Sequence, residues 1–205
     1  MKRYTGMRRL TDNPFLNLVE MDALRRDGSP FKYYFATRRK EGSVRVLDHS
    51  TDPDGISLFA VHKQKKGVVL IREYRFPIDA YILDVPAGLV EPGEDPLSGA
   101  VREFKEETGM DFEPVKDADE CMQKGTYSSV GLTDEMISTV YGYAFGEPDN
   151  THLEASEDIR AFVADREECR RILREERITM RAAYLLMLYL SMPEDDPFRF
   201  LHCAD

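Results

Sequence analysis

Apolar residues cluster, or alternate with polar ones, over several short stretches of the chain, a pattern typical of β-strands. The predicted strands are 16–21, 31–37, 43–47, 56–62, 67–74, 81–85, 138–145 and 159–164. Between the third and fourth strands lies Asp52-Pro53-Asp54-Gly55, a strong turn sequence. This turn predicts a boundary between a small β extension, residues 1–52, and a main domain, residues 53–205. The extension is too small to be stable alone and is expected to pack on its own domain or on a partner subunit.

Other stretches have the residue pattern of helices. The predicted helices are 96–108, 166–176 and 180–192. The first has clear ends, because Asp95 is a typical N-cap, Pro96 suits the first helical position and Gly109 suits the stop. Strands and helices mix without regular βαβ alternation. This order predicts an α/β fold of the α+β kind, in which a mixed sheet lies between helices.

Charge and hydrophobicity exclude two classes of partner. The chain has 205 residues and a net charge of -10, from 38 acidic and 28 basic side chains. We expect a soluble globular protein that lacks the clustered basic residues needed to grip a nucleic-acid backbone. The longest apolar run, Ala182 to Leu190, is far short of the ~20 residues that span a membrane. The basic N-terminus is followed by no apolar segment, so no secretory signal is expected.

Cysteines and histidines show no pattern of a metal or disulfide framework. The three cysteines, Cys121, Cys169 and Cys203, are far apart in the sequence, which favours a reducing, cytoplasmic location. The four histidines have no metal-ligand spacing. No G-x-S-x-G, G-x-x-x-x-G-K-[ST] or G-x-G-x-x-G motif occurs, so serine-hydrolase, P-loop and Rossmann classes have no support.

The predicted helix 96–108 carries the densest charge. One stripe of it is apolar and consists of Leu97, Val101, Phe104 and Thr108, which we expect to face the core. A second stripe, away from the first, contains Glu103, Glu106 and Glu107, three and four residues apart. Side chains at these spacings are neighbours, and like charges there destabilise a helix by a few tenths of a kcal/mol per pair.

Two interpretations of the glutamate stripe are open. It is either a solvated acidic face or a site for a hard divalent cation such as Mg²⁺ or Mn²⁺, which prefers oxygen ligands. In the second case, Arg102 is placed to tie down one carboxylate through a bidentate pair. Glu94, just before the helix, is placed to reach in from the loop.

The segment from Gly88 to Met110 resembles the signature of the Nudix hydrolases. That signature is a glycine, five residues, a glutamate, seven residues and then R-E-U-x-E-E-x-G-U, where U is apolar and usually aliphatic. Its positions are occupied by Gly88, Glu94, Arg102, Glu103, Phe104, Glu106, Glu107, Gly109 and Met110. The one departure is Phe104, which is aromatic and lies on the predicted core stripe, so it affects packing rather than chemistry.

The resemblance implies a β-sheet between helices, a loop-helix-loop that binds divalent metal, and hydrolysis of a nucleoside diphosphate linked to another group. It implies metal ligation by Glu103, Glu106 and Glu107 together with the backbone of Ala87. It also implies that Gly88, Glu94 and Arg102 support the loop, with Glu106 and Arg102 counted among the catalytic residues. The implied cofactor is Mg²⁺ or Mn²⁺.

Two further runs, Ile71 to Pro77 and Leu83 to Gly88, resemble those of ADP-ribose pyrophosphatases and related nucleotide-sugar hydrolases. Members of that group carry an N-terminal β extension that is commonly exchanged across a homodimer. The resemblance therefore implies a nucleoside diphosphate sugar as substrate and a homodimer as the assembly, with residues 1–52 in dimerisation and base recognition.

The same likeness suggests substrate-binding residues. They are Phe15 and Tyr33, as aromatic side chains that sandwich the base, Arg38 beside them, and Arg75 on the diphosphate or ribose. Strand packing is the alternative role for Phe15 and Tyr33. An ordinary surface cation is the alternative for Arg75.

The general base is expected outside the signature. The segment from His152 to Arg160 resembles the acidic loop that supplies it in this group, which makes Glu157 the first candidate and Glu154 the second. A loop carboxylate of this kind engages only when substrate is bound. A solvated loop carboxylate is the alternative for either residue.

One departure bears on the substrate. ADP-ribose pyrophosphatases typically have a proline where Val130 stands in the segment 128–133, and a similar S-x-V-G-L-T stretch occurs in hydrolases of UDP-sugars. ADP-ribose is the leading substrate, and UDP-glucose or another nucleoside diphosphate sugar is the alternative. A non-catalytic sensor would be expected to lose signature carboxylates, which are all present, and an RNA-cap hydrolase asks for a more basic surface.

Overall fold

The computed structural model describes residues 2–91, 93–149, 151, 153 and 158–202. The strands are, in chain order, β1 Tyr4–Arg9, β2 Asn17–Leu24, β3 Pro30–Thr37, β4 Gly55–His62, β5 Val68–Arg75, β6 Ala80–Asp84, β7 Ala87–Leu89, β8 Asp111–Pro114, β9 Thr126–Tyr127, β10 Met136–Phe145 and β11 Ile159–Ala164. The α-helices are α1 Arg45–Asp48, α2 Pro96–Thr108, α3 Glu120–Gln123, α4 Arg166–Glu175 and α5 Met180–Ser191. Within these described ranges, no helix has the length and apolar character needed to cross a membrane.

The chain forms two units. Unit 1 comprises Met1–Asp54 and Gly125–Ile137, and unit 2 comprises Gly55–Lys124 and Ser138–Asp205. The first change of unit therefore lies within the turn sequence that marks the predicted boundary. The segment Gly125–Ile137, which the sequence places in the main domain, belongs to unit 1.

Unit 1 is built on an antiparallel sheet in the order β1-β2-β3. Its small core consists of Val19 and Phe35 from the sheet and Val44 from the segment that follows it. The segment Gly125–Ile137 joins this unit through backbone contacts, since Ala36 N donates to Leu132 O at 2.8 Å.

The strand predicted at 43–47 is wrong, because the chain forms the single helical turn α1 there. The helical turn α1 follows from the burial of the Arg45 side chain, which is only 4% exposed. Its guanidinium donates to the backbone oxygens of Ser50 and Asp134 and pairs with the Asp54 carboxylate at 2.7 Å. A buried cation needs such partners, and an extended strand would carry it away from them.

Unit 2 contains a larger sheet in the order β11-β5-β4-β10-β8, with β6 paired to β5 and β7 paired to β4. The pairings of β5 with β4, β6 and β11 are antiparallel, and so is that of β8 with β10. β4 and β10 run in the same direction, since Asp54 N donates to Met136 O at one end and Lys63 N to Ala144 O at the other. The sheet is therefore mixed, as predicted.

Alternate residues of β4 and β5 bury opposite faces of this sheet. One face carries Ile56, Leu58, Ala60 and Val69, packed with Ala100 and Phe104 of α2. The other face carries Phe59, Val61, Val68 and Leu70, packed with Cys169 and Ile172 of α4 and Leu186 and Tyr189 of α5. Helices thus cover both faces, which confirms the predicted α+β fold with a mixed sheet between helices.

A gap in the sheet positions the signature. β6 leaves β5 at Asp84, and β7 joins β4 at Ala87, so Val85 and Pro86 cross between the two central strands. α2 packs against both β4 and β7. The signature helix is therefore held beside the crossing segment, Val85 to Gly88.

The ends of α2 are as predicted, and so is the burial of Phe104 and Thr108, but the other half of the predicted core stripe is wrong. Asp95 accepts a hydrogen bond from Ser98 N at 3.1 Å, and Gly109 ends the helix with a φ of 71°. Leu97 and Val101, expected in the core, are 38% and 42% exposed. The buried positions are Gly99, Ala100, Phe104, Glu107 and Thr108. Small residues bring the helix close to the sheet and rotate Glu107 inward, away from the predicted polar stripe.

This correction predicts different costs for two substitutions on α2. Phe104→Ala should lower the free energy of unfolding by about 3–5 kcal/mol, because it removes a fully buried ring stacked on Phe112 at 4.8 Å. Val101→Ala, the control on the same helix, should cost about 0.5 kcal/mol or less. Urea denaturation followed by circular dichroism measures both. Equal losses would mean that the exposed Val101 face is buried after all.

Candidate active site

Arg102, in the middle of α2, lies among the carboxylates of Glu94, Glu103 and Glu106. Its Nε and Nη2 donate to the two oxygens of Glu94 at 3.0 and 2.9 Å, the bidentate pair expected from the sequence. Its Nη1 donates to Glu103 at 2.9 Å and to Glu106 at 3.0 Å. One guanidinium thus fixes a loop residue and two helix residues.

These contacts shift the proton affinities of the pair. The hydrogen bond from Arg102, followed by a backbone hydrogen bond, holds the pKa of Glu94 below its usual value. The carboxylate of Glu94 in turn raises the pKa of Arg102, with a smaller contribution from Glu103. The loop before α2 is therefore tied to the helix by two groups that keep their charges.

Gly88 is required by the position of Glu103. A Cβ atom at residue 88 would collide with the carboxylate of Glu103, which lies directly against the glycine. Gly88 is also paired with Ile56 in the β4–β7 ladder, so its backbone has little freedom to retreat. The signature glycine therefore opens the space in which the first signature glutamate of α2 lies.

Glu107 is held in place by the backbone of Ala87, in the crossing segment. Its side chain is buried, and one carboxylate oxygen accepts a hydrogen bond from Ala87 N at 2.9 Å. A buried carboxylate needs such a donor to offset its lost hydration. The contact fixes α2 against β7 and brings Glu107 to the backbone of Ala87.

The donor set fits a hard divalent cation. Three carboxylates and a backbone segment offer only oxygen ligands of the kind that Mg²⁺ and Mn²⁺ take. The described part of the chain forms no cluster of three or more acidic, histidine or cysteine side chains arranged around one point. Instead, the Arg102 Nη1 cation lies between Glu103 and Glu106, and Glu107 turns to Ala87. A positive group thus already occupies the space between two of the predicted ligands.

The predicted substrate residues fall in both units. In unit 2, Arg75 ends β5, is about half exposed and pairs with Glu73 at 2.8 Å. In unit 1, Arg38 pairs with Glu135 at 3.1 Å. Phe15 is 78% exposed and lies on no buried face. The candidate bases Glu154 and Glu157 lie outside the described residues.

Tyr33 lines a cavity of about 300 Å³ within unit 1. Its walls are mainly apolar and include Met21, Phe35, Tyr127 and Val130. The Tyr33 hydroxyl donates to Gly131 O at 2.9 Å, which fixes the ring at the cavity wall. A planar, largely apolar group is the kind of ligand that such walls suit.

Sequence reasoning missed Asp84, Thr179 and Arg181. Asp84 is 1% exposed, and its carboxylate accepts hydrogen bonds from the side chains of the other two. The available signal was an acidic residue between two buried apolar ones, Leu83 and Val85. No local pattern pointed to its partners on α5.

Comparison with known proteins agrees with this geometry. A family model described as the NUDIX domain matches residues 51–183, well over half of the chain. The chain therefore belongs to the Nudix family, and it is a Nudix hydrolase. Enzymes of this family generally use divalent metal ions.

Several characterised proteins are similar to this chain. ADP-ribose pyrophosphatase of Saccharomyces cerevisiae is 27% identical over 129 residues, 61% of this chain and 56% of that protein. ADP-ribose pyrophosphatase of Bacillus subtilis is 29% identical over 98 residues, 48% of each chain. The methanol dehydrogenase activator of Bacillus methanolicus is 27% identical over 143 residues, 69% of this chain and 74% of that protein. The chain spans about half the length of the two pyrophosphatases, and the resemblance to that group is confirmed.

The contact between Gly88 and Glu103 predicts the effect of one methyl group. Gly88→Ala should push the Glu103 carboxylate aside and weaken Mn²⁺ binding by about tenfold or more. The fold should survive, because the colliding atoms are the far end of a flexible side chain. Isothermal titration measures the affinity, and thermal unfolding checks the fold. Gly131→Ala is the control, since a Cβ there meets nothing within 4 Å. Equal affinities in the two variants would separate Glu103 from the metal site.

Proposed function

We propose that this chain is a Mg²⁺- or Mn²⁺-dependent hydrolase of the pyrophosphate bond in a nucleoside diphosphate sugar. The leading substrate is ADP-ribose, which would yield AMP and ribose 5-phosphate. The observation that carries the proposal is the complete set of signature glutamates held around Arg102 and the Ala87 backbone. The similarity to ADP-ribose pyrophosphatases supports the choice of substrate.

In this proposal, Glu103, Glu106 and Glu107 hold the cation together with the backbone of Ala87. When bound, such a cation neutralises the diphosphate and lowers the pKa of an attacking water. Arg102 and Glu94 keep the glutamates in register with the loop, and Gly88 keeps the space beside Glu103 open. These supporting contacts hold the loop and α2 together before substrate arrives, and Glu103 and Glu106 would turn from Arg102 Nη1 toward the cation on metal binding.

The reaction needs a base and a leaving group. A carboxylate, Glu157 first and Glu154 second, takes a proton from the attacking water. The water oxygen forms a bond to one phosphorus while the bond from that phosphorus to the bridging oxygen breaks. The bridging oxygen leaves with the second phosphate, which gives two monophosphates. Arg75 would neutralise negative charge on the diphosphate or contact the ribose.

We assign recognition of the nucleobase to unit 1. Tyr33 and Phe15 would contact the nucleobase ring, with Arg38 beside them. The apolar cavity that Tyr33 lines supports the role of Tyr33. We extend the proposal to a homodimer that involves residues 1–52 and to a cytoplasmic location. Val130, at the wall of the same cavity, favours UDP-glucose or another nucleoside diphosphate sugar as the second candidate substrate.

A substrate panel tests the reaction. The purified protein is incubated with Mg²⁺ and, separately, ADP-ribose, UDP-glucose, GDP-mannose, NADH and an oxidised nucleoside triphosphate, and monophosphates are measured. We expect turnover of a diphosphate sugar, ADP-ribose foremost. No monophosphate from any diphosphate sugar would refute the proposal. Tight ADP-ribose binding without turnover would instead support a nucleotide-sugar sensor.

A metal-ligand substitution tests the site. Glu107→Gln should lower kcat by about 100-fold or more, because one carboxylate charge on the cation is lost. The control is Glu167→Gln on α4, an exposed acid that should leave kcat unchanged. Steady-state assays at saturating Mg²⁺ compare the two. Near-normal turnover by the Glu107 variant would remove it from the metal site.

The proposal that the cavity at Tyr33 binds the nucleobase predicts a change in KM. Tyr33→Ala should raise the KM for ADP-ribose about tenfold with kcat within about twofold, since stacking of a base on an aromatic ring contributes about 1–3 kcal/mol. Tyr33→Phe is the matched control, because it keeps the ring and removes only the hydroxyl that donates to Gly131. Steady-state kinetics decide. An unchanged KM in the alanine variant would mean that the nucleobase binds elsewhere.

A further inference from the structure

Asp84, at the end of β6, is a buried carboxylate with every oxygen engaged. It is 1% exposed. One oxygen accepts from Val85 N at 2.8 Å, from Thr179 Oγ1 at 2.7 Å and from Arg181 Nε at 2.8 Å. The other accepts from Arg181 Nη2 at 2.6 Å. This bidentate pair, with its two further donors, meets the demands of a buried charge.

The carboxylate lies where the chain begins to cross the gap in the sheet. Past Asp84, Pro86 O accepts from Leu58 N at 2.8 Å, and Ala87 N donates to Glu107. Gly88 then lies against Glu103. Asp84 is therefore the fixed start of a short segment whose end touches two of the three proposed metal ligands.

The partners of Asp84 are themselves held firmly. Thr179 is the N-cap of α5 and accepts from Ala182 N at 3.3 Å while it donates to Asp84. The residues just before α5 pair with β6, since Leu83 N donates to Arg177 O at 2.9 Å and Thr179 N to Leu83 O at 3.0 Å. The first turn of α5 thus serves as a rigid support for the crossing segment.

The charges of two carboxylates besides Asp84 also act on Arg181. Burial lowers the pKa of Arg181, but the hydrogen bond and charge of Asp84, followed by the charges of Glu107 and Glu73, raise it overall. Glu73 in turn pairs with Arg75, the proposed diphosphate contact. Acidic groups from β6, α2 and β5 therefore all favour the charged form of Arg181, and one of them, Glu107, is a proposed metal ligand.

The buried pair of Asp84 and Arg181 is better suited to fixing geometry than to adding net stability. A buried ion pair adds little net stability compared with well-packed apolar residues, because desolvation opposes the attraction. It does fix geometry, since the planar guanidinium accepts a carboxylate in only a few orientations. Here the geometry that it fixes is that of the segment leading to Ala87 and Glu107.

We propose that Arg181, held by Asp84 and Thr179, is a positioning residue that sets the placement of the Ala87 backbone and of Glu107 for divalent-metal binding. The proposal rests on the proposed function for its link to turnover, but metal affinity tests it separately. Arg181 touches neither substrate nor metal in this role. It acts through Asp84 and through the attraction between its charge and that of Glu107.

The test compares two substitutions of Arg181 with a control on α4. Arg181→Met keeps the length of the side chain and removes its charge and its donors. It should weaken Mn²⁺ binding and lower kcat by about 10–100-fold each, with the KM for a diphosphate sugar within about threefold. Arg181→Lys keeps the charge but not the bidentate geometry, and should show a smaller loss in the same two quantities. Mn²⁺ affinity is measured by electron paramagnetic resonance without substrate.

The control is Arg171→Met. Arg171 pairs with Glu168, Glu175 and Glu176 in a surface network, so its loss removes ion pairs of the same chemical type away from Asp84. This variant should keep the Mn²⁺ affinity and kcat of the parent. Thermal unfolding confirms that each variant is folded at the assay temperature, and if Arg181→Met is not, Arg181→Lys decides.

The outcomes separate the two proposals. Parent-like Mn²⁺ affinity and kcat in a folded Arg181 variant would overturn the positioning role, whatever happens to its unfolding temperature. If the parent turns over no diphosphate sugar, the proposed function fails, and the Mn²⁺ affinities alone decide the role of Arg181. A loss of affinity in the Arg181 variants but not in Arg171→Met supports it.

Discussion

The site depends on the balance of charge around Arg102. Three glutamates within little more than one turn of α2 repel one another, at a cost of about 0.2–0.5 kcal/mol per neighbouring pair. Arg102 offsets this for Glu103 and Glu106 by direct hydrogen bonds and ties Glu94 to the same point. Glu107 is relieved by a backbone donor instead, which requires the β7 segment to lie against the helix. The requirement that β7 lie against α2 accounts for Gly88, for the crossing segment and for the anchor of that segment at Asp84.

Local signals predicted what local interactions decide. The ends of α2 follow from Asp95 and Gly109, and the pairing of Arg102 with a carboxylate follows from their spacing. The rotation of α2 did not follow, because apolar periodicity directs Leu97 and Val101 inward. In the structure, Gly99 and Ala100 bring the helix close to the sheet, and the larger apolar residues near its start remain exposed. The sequence therefore predicted that Arg102 pairs with a carboxylate, but not that Glu107 is buried.

What could not be predicted depends on contacts between distant parts of the chain. Asp84 meets Arg181 across 97 residues and Thr179 across 95, and no pattern within either segment announces the other. The helical turn at Arg45 has the same origin, since one of its acceptors is Asp134 O, 89 residues away. The strand prediction at 43–47 follows from the alternation of apolar and polar residues. That alternation does not reveal the distant partners of the buried Arg45 side chain.

The return of Gly125–Ile137 to unit 1 has a consequence for how the protein can be divided. The chain passes between the two units three times, after Asp54, after Lys124 and after Ile137. Unit 1 therefore cannot be removed as one continuous N-terminal segment. A chain cut before Gly55 would keep the returning segment but lose the strand residue Ala36, whose N–H donates to Leu132 O. Any exchange of this unit between related proteins has to carry both pieces together, as a single discontinuous module.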